Sequence, residues 1–184
     1  LSCTNLPIVK EHLLHHLREC PSINDYQLYT GSYMGNYYYV LLFPDVWTYE
    51  LFELYVPGSA WNSSAMLKAA TDYEGYDGRT TYADNTAGGY YATRLPLIEH
   101  LSQMNHQATA LVIRFETPEY HTGLGVWVVR EAMKKTMQSP PQIYATKEEV
   151  IASATQLVRQ RFNIDLAQLL QCSKVMTTQK EQAK

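Results

Sequence analysis

Apolar and polar positions along the chain alternate between two periods, and the switches mark the elements. Ile8, Leu13, Leu14 and Leu17 recur at helical spacing, which predicts a helix over 7–20 with Pro7 in its first turn. Tyr26–Thr30 and Tyr37–Phe43 read as two strands of a hairpin that turns through Gly31–Asn36. The second strand is apolar on both faces, the mark of an interior position, and Pro44 closes it. Trp47–Val56 fits either period. Its aromatic and branched residues suit a strand, whereas Glu50 and Glu53, three apart, would share one face of a helix. Pro57-Gly58-Ser59 is a turn, and 72–85 reads as a polar loop.

A helix is expected from Ala87, with Thr86 as its N-cap and Leu97, Leu101 and Met104 on one stripe. Pro96 either kinks that helix or leaves Gly88–Arg94 as a separate turn. Gln107–Glu116 carries the continuous apolar run Ala110-Leu111-Val112-Ile113 and reads as a strand. Val126, Val129, Met133 and Met137 predict a helix over 124–138, with Lys134 and Lys135 near its negative end. Thr146 and Glu149 form a capping-box pattern ahead of a helix over 147–161, whose inward residues are Val150, Ile151, Ala154, Leu157 and Val158. A short helix over 166–172 follows, and the polar stretch 176–184 is expected to fray. The order implies a single α/β domain over 1–184, with its core in 26–172 and a tail from 173: a mixed β-sheet with helices packed against it.

Composition narrows the function classes. A net charge of -3 over 184 residues gives no global basic field, so nucleic acid would have to be met by a local patch. No apolar run approaches the roughly 20 residues of a membrane-spanning helix. Cys3, Cys20 and Cys172 stand far apart, which is neither a disulfide framework nor a zinc knuckle and suits a reducing cytoplasm. The chain starts at Leu1 rather than Met, which suggests a trimmed piece of a longer protein.

Candidate chemistry concentrates between Asp72 and Glu131. Asp72, Glu74, Glu116 and Glu119 are carboxylates of the kind that hold Mg²⁺ or Mn²⁺. In a metal-dependent nuclease or phosphoesterase they would bind the ion, with Asp72, Glu74, Glu116 and Arg130 as the catalytic set. Arg79, Arg94, Arg114 and Arg130 could converge on phosphate, or could pair with Asp72, Glu74, Glu116 and Glu131. Eight acids against six bases between 72 and 138 keep both options open. Gly88 and Gly89 precede a helix, where backbone N–H groups can meet an anion, though close packing explains them equally well. Tyr82, Tyr90, Tyr120 and Trp127 are candidates to stack on bases, while Tyr91 and Trp127 adjoin apolar stripes and suit the core. Tyr90 and Arg94 are four apart and share a helix face. Arg114 and Glu116 leave one face of a strand. Arg130 is therefore expected to reach Glu116 or the acids at 72–74, with Arg79 and Arg94 in the same cleft. His12 and His16 have metal-ligand spacing without a third ligand, and a solvated helix face accounts for them.

Seven motifs stand out: Leu41-Leu42-Phe43-Pro44, Tyr49-Glu50-Leu51-Phe52-Glu53, Pro57-Gly58-Ser59, Asp72-Tyr73-Glu74, Gly78-Arg79-Thr80-Thr81-Tyr82-Ala83, Gly88-Gly89-Tyr90-Tyr91-Ala92-Thr93-Arg94-Leu95 and Gly125-Val126-Trp127-Val128-Val129-Arg130-Glu131. Together they resemble the C-terminal region of the archaeal Nre family of DNA-repair proteins. The resemblance implies a cytoplasmic archaeal protein acting on damaged, branched or single-stranded DNA, with the sliding clamp as a partner. The clamp-binding peptide such proteins often carry is not seen after Asp165, where no aromatic residue occurs. The expectation is a nucleic-acid-binding domain that grips phosphates through an Arg/Tyr/Gly cleft. The nuclease or phosphoesterase and a protein-interaction scaffold are the alternatives.

Overall fold

The computed structural model describes residues 6–121 and 125–182, with the side chains of 12–121 and 125–178. Cys3, the Ile8 side chain and Leu124 fall outside them. The elements in order are α1 (Leu6–Glu19), β1 (Tyr26–Tyr33), β2 (Asn36–Phe43), β3 (Thr48–Tyr55), β4 (Lys68–Glu74), α2 (Ala87–Gln103), β5 (Thr109–Glu116), α3 (Val126–Gln138), β6 (Gln142–Tyr144), α4 (Lys147–Phe162), α5 (Ala167–Gln171) and α6 (Lys174–Gln182). The strands form one sheet in the order β4-β3-β5-β2-β1-β6. Only β3 and β5 run parallel, and the other pairings are antiparallel. This is the mixed α/β architecture that the pattern predicts.

Side-chain alternation divides the core. Tyr38, Val40, Leu42, Tyr49, Leu51, Ala110 and Val112 face one side, where α1, α2 and α3 cover them. Tyr39, Leu41, Phe43, Phe52, Leu54, Leu111, Ile113 and Phe115 face the other, under α4, α5 and α6. Strands β2 and β5 are central because both of their faces are apolar.

Several elements differ from the pattern. The hairpin turn is only Met34-Gly35, both at positive φ (47° and 77°), as two-residue turns of the primed type require. A Cβ on Gly35 would collide with the backbone of Tyr120, so this glycine lets the 117–120 segment press on the hairpin. The 47–56 ambiguity resolves to a strand, which sends Glu50 and Glu53 to opposite faces. Asp72 and Glu74 stand on a strand, not in a loop. Pro96 lies inside one continuous helix. Residues 174–182, expected to fray, form α6. There the Glu50 carboxylate accepts the Ser173 hydroxyl at 2.6 Å and the Lys174 and Val175 N–H groups at 3.1 Å, capping the helix from the sheet.

The capping box on α4 is present in both directions: Thr146 accepts from the Glu149 N–H, and Glu149 from the Thr146 N–H. Thr146→Ala is expected to cost about 1 kcal/mol, read as a lower urea midpoint at unchanged slope.

Candidate functional site

Register builds a polar cluster at the carboxyl end of the two parallel strands. Arg114 on β5 lies between Glu53 on β3 and Tyr38 on β2, and Glu116 lies between Tyr55 and Asn36. These residues alternate in phase, so all point to the face covered by α2 and α3. Ligand sites in α/β sheets gather at such strand ends.

Arg114 organises the cluster. Its Nε and Nη2 donate to Asn36 Oδ1 at 2.9 and 2.7 Å, its Nη1 to Glu53 Oε1, and its Nη2 to Glu116 Oε2 at 3.2 Å. Tyr55 donates its hydroxyl to the other Glu53 oxygen at 2.7 Å. Burial works against the guanidinium charge, but Tyr38, Glu53 and Glu116 outweigh burial and hold its pKa above the ordinary value. The Tyr38 hydroxyl meets Thr93 Oγ1 at 3.0 Å and the Val129 carbonyl at 3.3 Å, tying the cluster to α2 and α3, and burial pushes its pKa up to about 12.

Over the cluster opens a cleft of about 210 Å³. The residues 85–89 form one wall, Glu53, Tyr55, Arg114 and Glu116 the floor, and Tyr120, Val126 and Val129 the far side. The first bond of α2 runs from the Tyr90 N–H to the Thr86 carbonyl, so the N–H groups of Ala87, Gly88 and Gly89 have no helical acceptor. A Cβ on Gly89 would run into the Glu53 carboxylate, so glycine is what lets the positive helix end approach the acids. Glu116 is 1% exposed, and its Oε1 has no hydrogen-bond partner. Burial raises its pKa above the ordinary carboxylate value, against the pull of Arg114 and of the Trp61 backbone N–H beside the carboxylate. Trp61 stands on the rim with 64% of its surface exposed, and Val126 and Trp127 are exposed by 51% and 54%.

A second network lies nearer the opposite end of the sheet. Asp72 accepts the Thr86 N–H and hydroxyl at 2.8 and 2.9 Å and pairs with Arg79 at 3.2 Å. Glu74 accepts from Trp47 Nε1 at 2.9 Å, the Tyr90 hydroxyl at 2.8 Å and Arg94 at 2.8 Å. Tyr90 and Arg94 thus share the helix face that their spacing predicts. Glu74 sits beside Tyr49 and Glu116 beside Tyr55, a separation of roughly 20 Å along the strands at about 3.3 Å per residue.

The expected single site is therefore divided. Asp72 and Glu74 do not meet Glu116, and Glu119 is exposed on the opposite face, accepting from Tyr37 at 3.4 Å. Among the described residues no three His, Cys, Asp or Glu side chains come together to hold a metal, so Asp72, Glu74, Glu116 and Glu119 do not form one ligand set. Arg79, Arg94 and Arg114 each pair with a buried acid. Arg130 contacts neither Glu116 nor the acids at 72–74, and among the described residues it has no acidic partner within 4.0 Å. The sheet-facing residues of α3 are Val128, Val129, Ala132 and Met133, while Val126 is exposed. That rotation turns Arg130 away from the strand ends. Trp127 is at the surface, not in the core. Tyr90 is fully buried and Tyr82 is exposed, its ring 4.9 Å from that of Tyr91. Of the residues suggested for nucleic acid, Gly88, Gly89 and Arg114 line the cleft, and Tyr82 and Trp127 are exposed at the surface.

Glu53, Tyr55, Asn36 and Trp61 are not legible as site residues in the sequence, whereas Tyr120, a candidate to stack on bases, does line the cleft. Glu53 carried one signal: an acid within an otherwise apolar strand must have a buried partner.

The chain belongs to the archaeal Nre family: the family's C-terminal model ("Archaeal Nre, C-terminal") matches residues 74–184 and its N-terminal model ("Archaeal Nre, N-terminal") residues 7–62. The likeness thus extends well beyond the C-terminal motifs. The chain is 39% identical to the DNA repair protein NreA of Haloferax volcanii over 130 residues, 70% of this chain and 31% of the relative. It is 30% identical to the DNA repair protein NreB of Archaeoglobus fulgidus over 168 residues, 90% of this chain and 41% of the relative. With NreA of that organism it shares 31% over 154 residues, 84% of this chain and 39% of the relative. The chain spans about a third to two fifths of the length of these relatives. No solved structure matches it. No helix among the described residues is long and apolar enough to cross a membrane.

Proposed function

We propose that the chain serves DNA repair, as the names of its relatives state of them, by binding an unpaired DNA strand across the cleft mouth. The observation that carries this reading is the pairing of exposed tryptophans with an arginine that has no acidic partner among the described residues. Trp61 borders the cleft, Trp127 stands next to the cleft-lining Val126, and Arg130 lies one helical turn further along α3. Tryptophan faces accept unpaired bases without regard to sequence. Arg130, unlike Arg79, Arg94 and Arg114, has no acidic partner among the described residues and can offer its charge to phosphate.

Fluorescence anisotropy with a labelled single-stranded oligonucleotide tests the reading. Binding should weaken with salt at a log–log slope of about 0.7 per phosphate contacted. Arg130→Ala should flatten that slope by about one contact. Trp127→Ala should cost about 1–3 kcal/mol. Absence of binding at low salt, or indifference to both substitutions, would sink it.

A further inference from the structure

The cleft floor says more about the ligand than the rim does, provided the rim binds nucleic acid as proposed above. Three of the four oxygens of Glu53 and Glu116 have donors: Arg114 and Tyr55 on Glu53, and Arg114 on Glu116. The fourth, Glu116 Oε1, is a buried acceptor with none. Natural interiors seldom leave a carboxylate oxygen in that condition without a use for it. Across the cleft, the first turn of α2 offers N–H donors that have no acceptor within the helix. A fitting ligand therefore carries a donor for the floor and an acceptor for the wall. The volume of about 210 Å³ is below the roughly 300–1,000 Å³ of sites for drug-sized ligands, so a single ring system suits it better than a whole nucleotide. Tyr120, Val126 and Trp61 give that ring flat or apolar neighbours.

We propose that the cleft receives one unpaired nucleobase bearing a ring N–H beside a carbonyl, namely thymine, uracil or guanine. The N–H donates to Glu116 Oε1 and the carbonyl accepts from the N-terminal N–H groups of α2. Adenine and cytosine present an acceptor at that ring position and can reach Glu116 Oε1 only by shifting to their exocyclic amine, which takes the ring out of the register set by the wall. The exposed Trp61 indole, held by no side-chain hydrogen bond among the described residues, swings aside to admit the base and closes over it, while the Trp61 backbone N–H stays beside the Glu116 carboxylate.

The test compares three single-stranded oligomers of equal length on the intact chain at low salt: thymidylate, N3-methylthymidylate and deoxyadenylate. The methyl group removes the N–H and leaves ring, charge and stacking nearly unchanged. Thymidylate should bind at least roughly tenfold tighter than its methylated form, the scale of discrimination when a buried polar group loses its partner. Glu116→Gln should abolish that preference. Its amide oxygen is held by Arg114, so its NH₂ is turned toward the cleft as a donor. Equal affinity of the wild-type chain for thymidylate and N3-methylthymidylate overturns the inference and leaves strand binding standing. Failure to bind any of the three overturns both. The methylated comparison uses the unaltered chain, so poor folding of the variant cannot obscure the answer.

Discussion

Replacing Arg114 with methionine is expected to cost about 3–5 kcal/mol of folding stability at neutral pH, the range seen when one member of a buried ion pair is removed. The guanidinium is 3% exposed and neutralises two carboxylates, Glu53 and Glu116, that are themselves 3% and 1% exposed. Methionine fills much of the volume, so packing loss is the smaller term. The larger one is the pair of buried negative charges left behind. Glu53 would keep Tyr55 as a donor, whereas Glu116 would keep no side-chain donor. The sign of the pH dependence follows. Glu116 has a folded pKa above its unfolded value even with Arg114 present. Its contribution to stability is therefore full below the ordinary carboxylate pKa of about 4.3 and declines as pH rises through the folded value. Without Arg114 that window widens, so the deficit of the variant should be smaller at mildly acid pH than at pH 8. Adding Glu116→Leu should restore part of the loss, because an apolar replacement removes the uncompensated charge. Urea unfolding at several pH values measures all of this. A loss under about 1 kcal/mol, within the range of exposed pairs, would contradict the buried triad.

The same cluster shows where sequence reasoning succeeds and where it stops. β2 and β5 were legible because a run that is apolar on both faces admits one placement, the middle of a sheet. The capping box at Thr146 and the shared face of Tyr90 and Arg94 were legible because both are set by local helical geometry. β3 was ambiguous because Glu50 and Glu53 interrupt its apolar pattern. Each is stabilised by a partner far along the chain, Ser173 and Arg114, which no local window contains. β4 was missed because Lys68–Glu74 is an edge strand of small and charged residues, with little β-propensity to announce it.

The candidate site was half legible for a related reason. Composition located the acids, arginines and glycines, and spacing put Arg114 and Glu116 on one face, which the 3.2 Å contact confirms. Division of these residues into two networks depends on register, which places Glu74 against Tyr49 and Glu116 against Tyr55. A one-residue slip would reverse every face. The Arg130 expectation failed on helix rotation. The apolar stripe was centred on Val126 and Val129, whereas the buried face runs through Val128, Val129, Ala132 and Met133. Val129, Met133 and Met137 are buried as expected, and Val128 and Ala132 join them in place of Val126; at 3.6 residues per turn this rotates the buried face by about 60° and carries Arg130 from the stripe's edge to the outer side.

Glu74→Ala tests whether the second network is structural, and its expected loss is again about 3–5 kcal/mol. The carboxylate is 3% exposed and collects Trp47 Nε1, the Tyr90 hydroxyl and the Arg94 guanidinium. Trp47 and Tyr90 are fully buried, so neither donor can turn to water once its acceptor is gone, and each stranded group costs about 1–3 kcal/mol. Arg94 retains 16% side-chain exposure and can swing outward, which keeps the total below the sum of three separate losses. Glu74→Gln, which keeps the shape and one acceptor, should lose less than the alanine variant. Near-ultraviolet circular dichroism reports the Trp47 and Tyr90 environment, and urea unfolding gives the free energy. Glu74 lies roughly 20 Å from Glu116 along the strands, at about 3.3 Å per residue. The fraction of Glu74→Gln that remains folded should therefore bind single-stranded DNA as the unaltered chain does. A Glu74→Gln chain that is fully folded and stable yet has lost that binding would move the site from the Glu116 cleft to the Asp72–Glu74 network.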